Sequence, residues 1–597
     1  MEIWFNPVQS LEKILKQTAG TLDGFSDEFS PDVRAADPRF GDFQANGILA
    51  EAKRSRRNPR ELAGIFVEAL KSSGALDADL VSMSIAGPGF INFKFSPEFF
   101  ARWATLYRDA EKLKESAGTL YAGKKVVIDY PSPNTAKQMH VGHLRILVIG
   151  EAIARLLQFC GADLTRDNHI GDWGTNFGIL IFEIKRTGYV FPDDDTRALA
   201  ELEELYKAGT AFVNDKEKNP DAFDAARLEL VKLQRGDPEN LALWKRIVKV
   251  SDAACEKIYA LFGVKPDVTL GESFYRDKVG RVYEELIECG IAEEDDGALI
   301  VWNDSDPRYA RTNENAAPFI VRKKDGGSNY ASTDLATLLY RVEHFKAAEV
   351  VYVTDDRQQD HFRMLFLTAK RWFDAKGYPF PSLRHVMFGK ILGENGKPIK
   401  TKEGGSIKLK SLVDEATERA FAIVSEKSPD LPEEERGKIA ETIGIAAVRY
   451  ADLLQNRTID YMFSWKRLLA FEGNTAPYLL YAVARIQSIF RKAGTTLESV
   501  AGNAEILVPR TDGEIALVRK LMGFSTAVQT ACEELKPHYI CTYLFELAGA
   551  FSSFYASNKV MDDDPAVRAL RLRLCANTHV ILKTGLHLLG IETLERM

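Results

Sequence analysis

Residues 124–130 form a short β-branched run centred on Val126, Val127 and Ile128, and the chain then turns through Pro131-Ser132-Pro133-Asn134 into His140-Val141-Gly142-His143 and an amphipathic helix. Strand, loop and helix in that order make the βα unit of a parallel sheet. A second series repeats the pattern. A helix is predicted around residues 333–345, with Leu335, Leu338, Leu339 and Val342 on one face, followed by a strand at Val350-Val351-Tyr352-Val353 and a helix from about His361. The stretch between, from about 190 to 268, is rich in Glu, Lys, Asp, Leu and Ala and lacks β-branched runs, so it reads as a largely helical insertion. Two βα halves split by an insertion predict a multidomain α/β chain built on a doubly wound, Rossmann-type parallel sheet.

At 597 residues the chain exceeds a single hydrophobic core. Residues 1–116 read as a small α+β domain ending in the alternating strand Gly89-Phe90-Ile91-Asn92-Phe93-Lys94-Phe95, and 117–410 as the Rossmann-type domain. Residues 411–465 read as a helical connector and 466–597 as an all-α domain, in which Thr475 caps a helix with Pro477 in its first turn. The formal charge of -7 gives no general attraction to nucleic acid, so any such binding rests on local patches such as Lys53, Arg54, Arg56 and Arg57. The six cysteines show no CxxC pair, which argues against a disulfide framework and against a structural zinc; no metal ligands are assigned. The first residues carry Glu2 and Glu12 and no long apolar run, so neither a secretory signal nor a membrane span is expected and the reading is cytoplasmic.

The HxGH element sits where a helix N-terminus offers unpaired N–H groups and a positive dipole end to phosphate. His140 and His143, about a turn apart, add donors on the same side, and Gly142 leaves room for a flat ring against the backbone. There is no Gly-x-Ser-x-Gly and no Walker P-loop, so the pattern points to positioning and charge stabilisation at phosphate rather than to a protein nucleophile.

The longer string Ser132-Pro133-Asn134-Thr135-Ala136-Lys137-Gln138-Met139-His140-Val141-Gly142-His143-Leu144-Arg145 resembles the first signature of class I aminoacyl-tRNA synthetases, and of the arginyl family in particular. Asn168-His169-Ile170-Gly171-Asp172-Trp173-Gly174-Thr175-Asn176-Phe177-Gly178 is also similar to that family. The second signature departs from the class I KMSKS consensus: Gly396-Lys397-Pro398-Ile399-Lys400-Thr401-Lys402-Glu403-Gly404-Gly405 resembles the family's degenerate loop, in which Lys400 and Lys402 are equal candidates for the catalytic lysine. Phe40-Gly41-Asp42-Phe43-Gln44-Ala45-Asn46 is similar to the additional domain that contacts the tRNA elbow, and Phe471-Glu472-Gly473-Asn474-Thr475-Ala476-Pro477-Tyr478 to the anticodon-binding domain.

The resemblance implies a ligase that uses ATP with Mg2+ to activate L-arginine and transfers it to tRNA(Arg), with tRNA required for activation. His140, His143, Lys400 and Lys402 would stabilise the transition state, and Asn134, Lys137, Gly142, His169, Gly171 and Asp172 would meet ATP. Asp129, Asn134, Tyr330, Asp334 and Gln359 would contact arginine, and Tyr478, Tyr481, Arg485, Tyr555 and Lys559 are candidates for RNA contact by stacking and charge. A monomer is expected. Another class I synthetase, a small nucleotidyltransferase and a tRNA-binding paralogue without catalysis are the alternatives. The long helical tail argues against the second, and the retained histidines and acidic residues against the third.

Overall fold

The computed structural model describes residues 3–324, 326–393, 395–397, 399 and 407–597. They form two compact units, one of Tyr121–Leu469 and one that joins Met1–Leu120 to Ala470–Met597.

The first unit carries a five-stranded parallel sheet: β1 (Lys125–Asp129), β2 (Asp163–Asn168), β3 (Val268–Thr269), β4 (Glu349–Asp355) and β5 (Ser382–Phe388), in spatial order β5-β4-β1-β2-β3. The apolar runs of β1 and β4 are buried on both faces, as continuous β-branched strands of a helix-covered parallel sheet should be. Helix α1 (Leu144–Phe159) joins β1 to β2, and Gly150 lets it approach closely, since a Cβ there would lie 2.4 Å from the Tyr130 ring. Helix α2 (Tyr330–Glu343) precedes β4, and α3 (Gln359–Lys376) leads from β4 to β5. Chain order reverses between β1 and β4, the switch point at which doubly wound sheets open a crevice beyond the strand ends. Register aligns the ends there, with Asp129 beside both Asp167 and Tyr352.

The segment expected to be a helical insertion contains Asp195–Asn214, Ala222–Gln234 and Pro238–Leu261, and β3 follows it. A second insertion, between β3 and α2, has no counterpart in the sequence reading. It holds the helices Glu272–Tyr275 and Val279–Glu288 and an antiparallel sheet in the order Phe319–Arg322, Ala298–Val301, Glu293–Asp295. Strands this short leave no periodic signal, and Glu293–Asp295 is exposed throughout. After β5, Ile391–Leu392 pairs in parallel with Tyr461–Met462. The region read as almost wholly helical beyond about residue 410 contains one short strand, besides Leu409–Lys427 and Glu433–Leu453.

In the other unit a four-stranded antiparallel sheet, ordered Val33–Ala35, Phe43–Ala45, Phe90–Phe95, Val81–Ala86, packs with helices of the first segment, whose helix Pro97–Leu106 in turn packs with helices of the second. The C-terminal helices are Ala476–Ala493, Leu497–Gly502, Asp512–Glu534, His538–Ser557 and Pro565–Leu588, the first capped by Thr475. Buried Asp42 fastens the two segments: it accepts the Phe95 N–H at 2.7 Å and Arg519 Nε at 2.5 Å. Asn577 donates to the Ala104 carbonyl at 2.7 Å from the other side. Among the described residues no helix is long and apolar enough to cross a membrane.

Candidate active site

The loop after β1 begins the site. Ser132 and Ala136 take positive φ, 48° and 63°, which is unfavourable for residues with a Cβ. Neighbouring bonds hold the loop there: Asn168 Oδ1 accepts from Ser132 N at 3.1 Å, and the Ala136 N–H donates to Ser251 Oγ of the inserted helix Pro238–Leu261 at 2.9 Å. Asn134 and Lys137 are exposed on this loop, with the Lys137 ammonium 5.0 Å from the Tyr206 ring. Gly171 pairs with Asn134, and a Cβ at Gly171 would lie 2.4 Å from Asn134 Oδ1.

The HVGH element is a single 3-10 turn, Val141–His143, leading into α1. His140 Nδ1 accepts the Gly142 N–H at 3.0 Å, and His143 Nδ1 accepts the His140 N–H at 3.1 Å. Each ring, when neutral, must then carry its proton on Nε2, so the two imidazoles, 4.1 Å apart between centroids, present Nε2–H donors. Burial holds both neutral. It lowers the His140 pKa, opposed by Glu203 and aided by Lys137, and takes that of His143 down to about 4, aided by His140. Gly142 has an intramolecular reason besides room for a ligand: a Cβ there would come within 2.8 Å of the His140 ring.

The turn after β2 is a scaffold. His169 Nδ1–H donates to the Leu270 carbonyl at 2.9 Å and its N–H to Ser132 Oγ at 3.0 Å. Asp172, expected to meet ATP, is instead buried with both carboxylate oxygens on Ser273, from N–H at 2.8 Å and Oγ at 2.6 Å. Together with the bond from Glu272 N to the Ile170 carbonyl, this fixes the start of Glu272–Tyr275 at the end of β3.

Glu272 went unread in the sequence because it follows a two-residue strand and carries no motif. Its half-buried carboxyl is pushed up to about 7, chiefly by burial and then by the charges of Asp334 and Asp172, against the pull of His169. Glu272 and Asp334 also act on Tyr330, which is 67% exposed at the start of α2. The N-cap of α2 is Asn329, in a reciprocal box with Ser332, so Asp334 does not cap the helix. It contacts His361 Nε2 of α3 at 2.5 Å instead. Gln359, the first residue of α3, is exposed.

Asp129 proves less available than a free carboxylate. Ser132 Oγ donates to its Oδ1 at 2.7 Å and Arg341 Nη2 to its Oδ2 at 2.6 Å. Arg341, fully buried on α2, also donates to Asp167 from Nε and Nη2 at 2.9 and 2.8 Å. The cluster locks α2 beneath the row formed by Asp129 and Asp167.

Lys400 and Lys402 lie outside the described residues. On the near side, Gly393 N donates to the Lys397 carbonyl at 2.7 Å; on the far side, Val141 N donates to the Ile407 carbonyl at 2.9 Å and Leu409 N to that of Met139 at 3.0 Å. The far end of this segment is thus paired directly with the HVGH turn. In the helical segment, Tyr478, Tyr481 and Arg485 share a face of Ala476–Ala493, and the Arg485 guanidinium lies 4.5 Å from the Tyr555 ring. Tyr481 is 47% exposed, while Lys559 pairs with Asp563 at 3.2 Å.

Three family profiles cover most of this architecture: the catalytic domain of the class I (R) tRNA synthetases at residues 109–465, the DALR anticodon binding domain at 479–597, and the arginyl tRNA synthetase N terminal domain at 9–95. The arginine–tRNA ligase of Chromobacterium violaceum is 42% identical over 94% of this chain and 95% of its own. That of Marinomonas sp. is 40% identical over 99% of this chain and 100% of its own. The arginyl-tRNA synthetase of Plasmodium falciparum superposes with a TM-score of 0.79 at 26% identity, covering 99% of both chains, and the Thermus thermophilus enzyme shares the fold with a TM-score of 0.82 at 24% identity. A catalytic-domain match over more than half the chain and relatives of this identity and coverage place it: the chain belongs to the class I arginyl-tRNA synthetases.

Proposed function

We infer that this chain is an arginine–tRNA ligase in which the acidic group of Glu272 and Asp334 selects the guanidinium and the HVGH turn stabilises phosphate. An arginine carboxylate oxygen attacks the α-phosphorus of ATP, the bond to the β-phosphate bridge breaks, and pyrophosphate leaves. A terminal ribose hydroxyl of tRNA(Arg) then attacks the arginyl carbonyl and AMP departs. ATP enters as its Mg2+ complex.

The observation that carries the reading is an acidic pair, half-buried Glu272 and neighbouring Asp334, with no lysine or arginine of the protein paired to either among the described residues. Such a group is compensated by a cationic side chain from the substrate. Tyr330 and Gln359 would complete the contacts to arginine, Asn134 would reach its amino group, and Asp129 would contribute charge while held by Arg341. Lys137, Gly142, His169 and Gly171 would line the ATP side, with the Nε2–H donors of His140 and His143 meeting charge that grows on phosphate. Lys400 and Lys402 would close over the β- and γ-phosphates, in a segment whose far end is tied to the HVGH turn. Tyr478, Tyr481, Arg485 and Tyr555 would read the anticodon by stacking. Action as a monomer is part of this reading.

Charging of bulk tRNA with each radiolabelled amino acid in turn tests the reading: arginine should be the one efficient substrate, and preferential charging with cysteine, glutamine or glutamate overturns it. Activation should also require tRNA. Arginine-dependent ATP–pyrophosphate exchange in RNA-free enzyme would refute that requirement alone.

A further inference from the structure

A carboxylate that selects a guanidinium works by direction as much as by charge, because the planar fork rewards oxygens held in its plane. Helix α2 does little to aim Asp334. Its cap bonds are completed by Asn329 and Ser332, a turn earlier, and the hydrogen-bond partner of Asp334 among the described residues is His361. A carboxylate accepts, so the contact at 2.5 Å between His361 Nε2 and Asp334 Oδ2 places the imidazole proton on Nε2. The other oxygen, Oδ1, is left for a ligand.

The imidazole is itself fixed. It stands in the first turn of α3, two residues after Gln359, with its ring 5.2 Å from Phe362 at 80°. It also meets Phe319 of the inserted antiparallel sheet, 5.7 Å away. Asp334 and His361 are only partly covered, their side chains 18% and 25% exposed, so the pair borders the site. The donor, the aromatic supports and the acceptor come from three different elements, and their single point of convergence is the orientation of Asp334.

Resting on the reading of this site as the arginine pocket, we propose that His361 is a positioning residue for amino-acid selection: its Nε2–H holds one oxygen of Asp334 and thereby aims the other at the substrate guanidinium. A loosely held Asp334 would keep its charge and lose its direction. The loss appears in arginine binding and in discrimination against citrulline, whose ureido group replaces a charged N–H donor by a carbonyl oxygen.

The test compares His361→Phe, which keeps a ring and loses the donor, with His361→Gln, whose amide N–H reaches the Nε2 position. His361→Phe should raise KM for arginine about tenfold or more, the range for a lost hydrogen bond to a charged group. KM for ATP should stay within about twofold, and discrimination between arginine and citrulline should fall. His361→Gln should restore most of the arginine KM. In an Asp334→Ala background, which removes the acceptor, adding His361→Phe should change arginine affinity by less than about twofold, because the interaction is already gone. An unchanged arginine KM in His361→Phe, or the same loss in both backgrounds, overturns the proposal. If His361→Phe does not fold, His361→Asn, whose amide stops near the Nδ1 position, replaces it, and equal arginine KM values for the Asn and Gln variants are the refuting result. Failure of the underlying reading looks different: Asp334→Ala alone would then leave KM for arginine unchanged.

Discussion

Because backbone N–H groups fill the Nδ1 lone pairs of His140 and His143, the chemistry of these residues is confined to Nε2. With burial lowering both pKa values, His143 to about 4, neither ring gains a proton near neutrality. His140→Ala and His143→Ala should each lower kcat about 100-fold or more with little change in KM for ATP, by analogy with removal of a preorganised donor at a developing oxyanion. The kcat of the parent enzyme should be flat through pH 6.5 with respect to His143; a titration there that vanishes in His143→Ala would show an imidazolium instead. Glu272 behaves oppositely. Its carboxyl, raised to about 7, is ionised for guanidinium binding only above that pH, so KM for arginine should fall as pH rises from 6 to 8, by up to about tenfold per unit below 7. Glu272→Gln should abolish that slope. An acid whose folded pKa lies above its unfolded value contributes stability that is fully present below the unfolded value of 4.5 and is lost as pH rises through about 7, so Glu272→Gln should raise Tm at pH 8 and leave it nearly unchanged at pH 4.

The helix Pro238–Leu261 is an insertion in sequence but a buttress of the site in space, since Ser251 receives the N–H of Ala136 at the strained point of the first loop. Ser251→Ala leaves that buried N–H without its acceptor, at a cost of about 1–3 kcal/mol. It should appear as a lower Tm together with a raised KM for ATP, and a variant that melts like the parent with unchanged ATP kinetics would remove the buttress role. That the segment is helical could be read from its composition; that one serine in it supports residue 136 could not, since the pairing spans 115 positions. The same limit runs through the site. Val126, Val127 and Ile128 announce a buried strand because each carries its signal locally. Arg341 reads as one more helix arginine, and only the fold shows it buried between Asp129 and Asp167. Asp334 was legible as an acidic residue near the start of α2, whereas Glu272 and His361 acquire meaning only when the ends of β3 and α3 come together beside it.

At the scale of the molecule, the unit of residues 1–120 and 470–597 depends on contacts between segments far apart in sequence. Asp42 serves both, through Phe95 N–H and Arg519, and Asp42→Ala strands two donors at once. It should lower the melting transition of that unit by an amount equivalent to about 1–3 kcal/mol. Scanning calorimetry identifies which transition moves: arginine with MgATP should raise a different one, that of the unit Tyr121–Leu469, and an unshifted thermogram for Asp42→Ala would deny Asp42 its joining role. The same arrangement bears on biosynthesis. A ribosome delivers the Asp42 side of this junction first and the Arg519 side only after the whole of Tyr121–Leu469 has emerged, an interval on the order of tens of seconds at about 5–20 residues per second. During that interval the nascent N-terminal segment carries an unfilled docking face containing Asp42 and Ala104, and the Tyr121–Leu469 unit can complete its parallel sheet before the earliest-made residues find their partners.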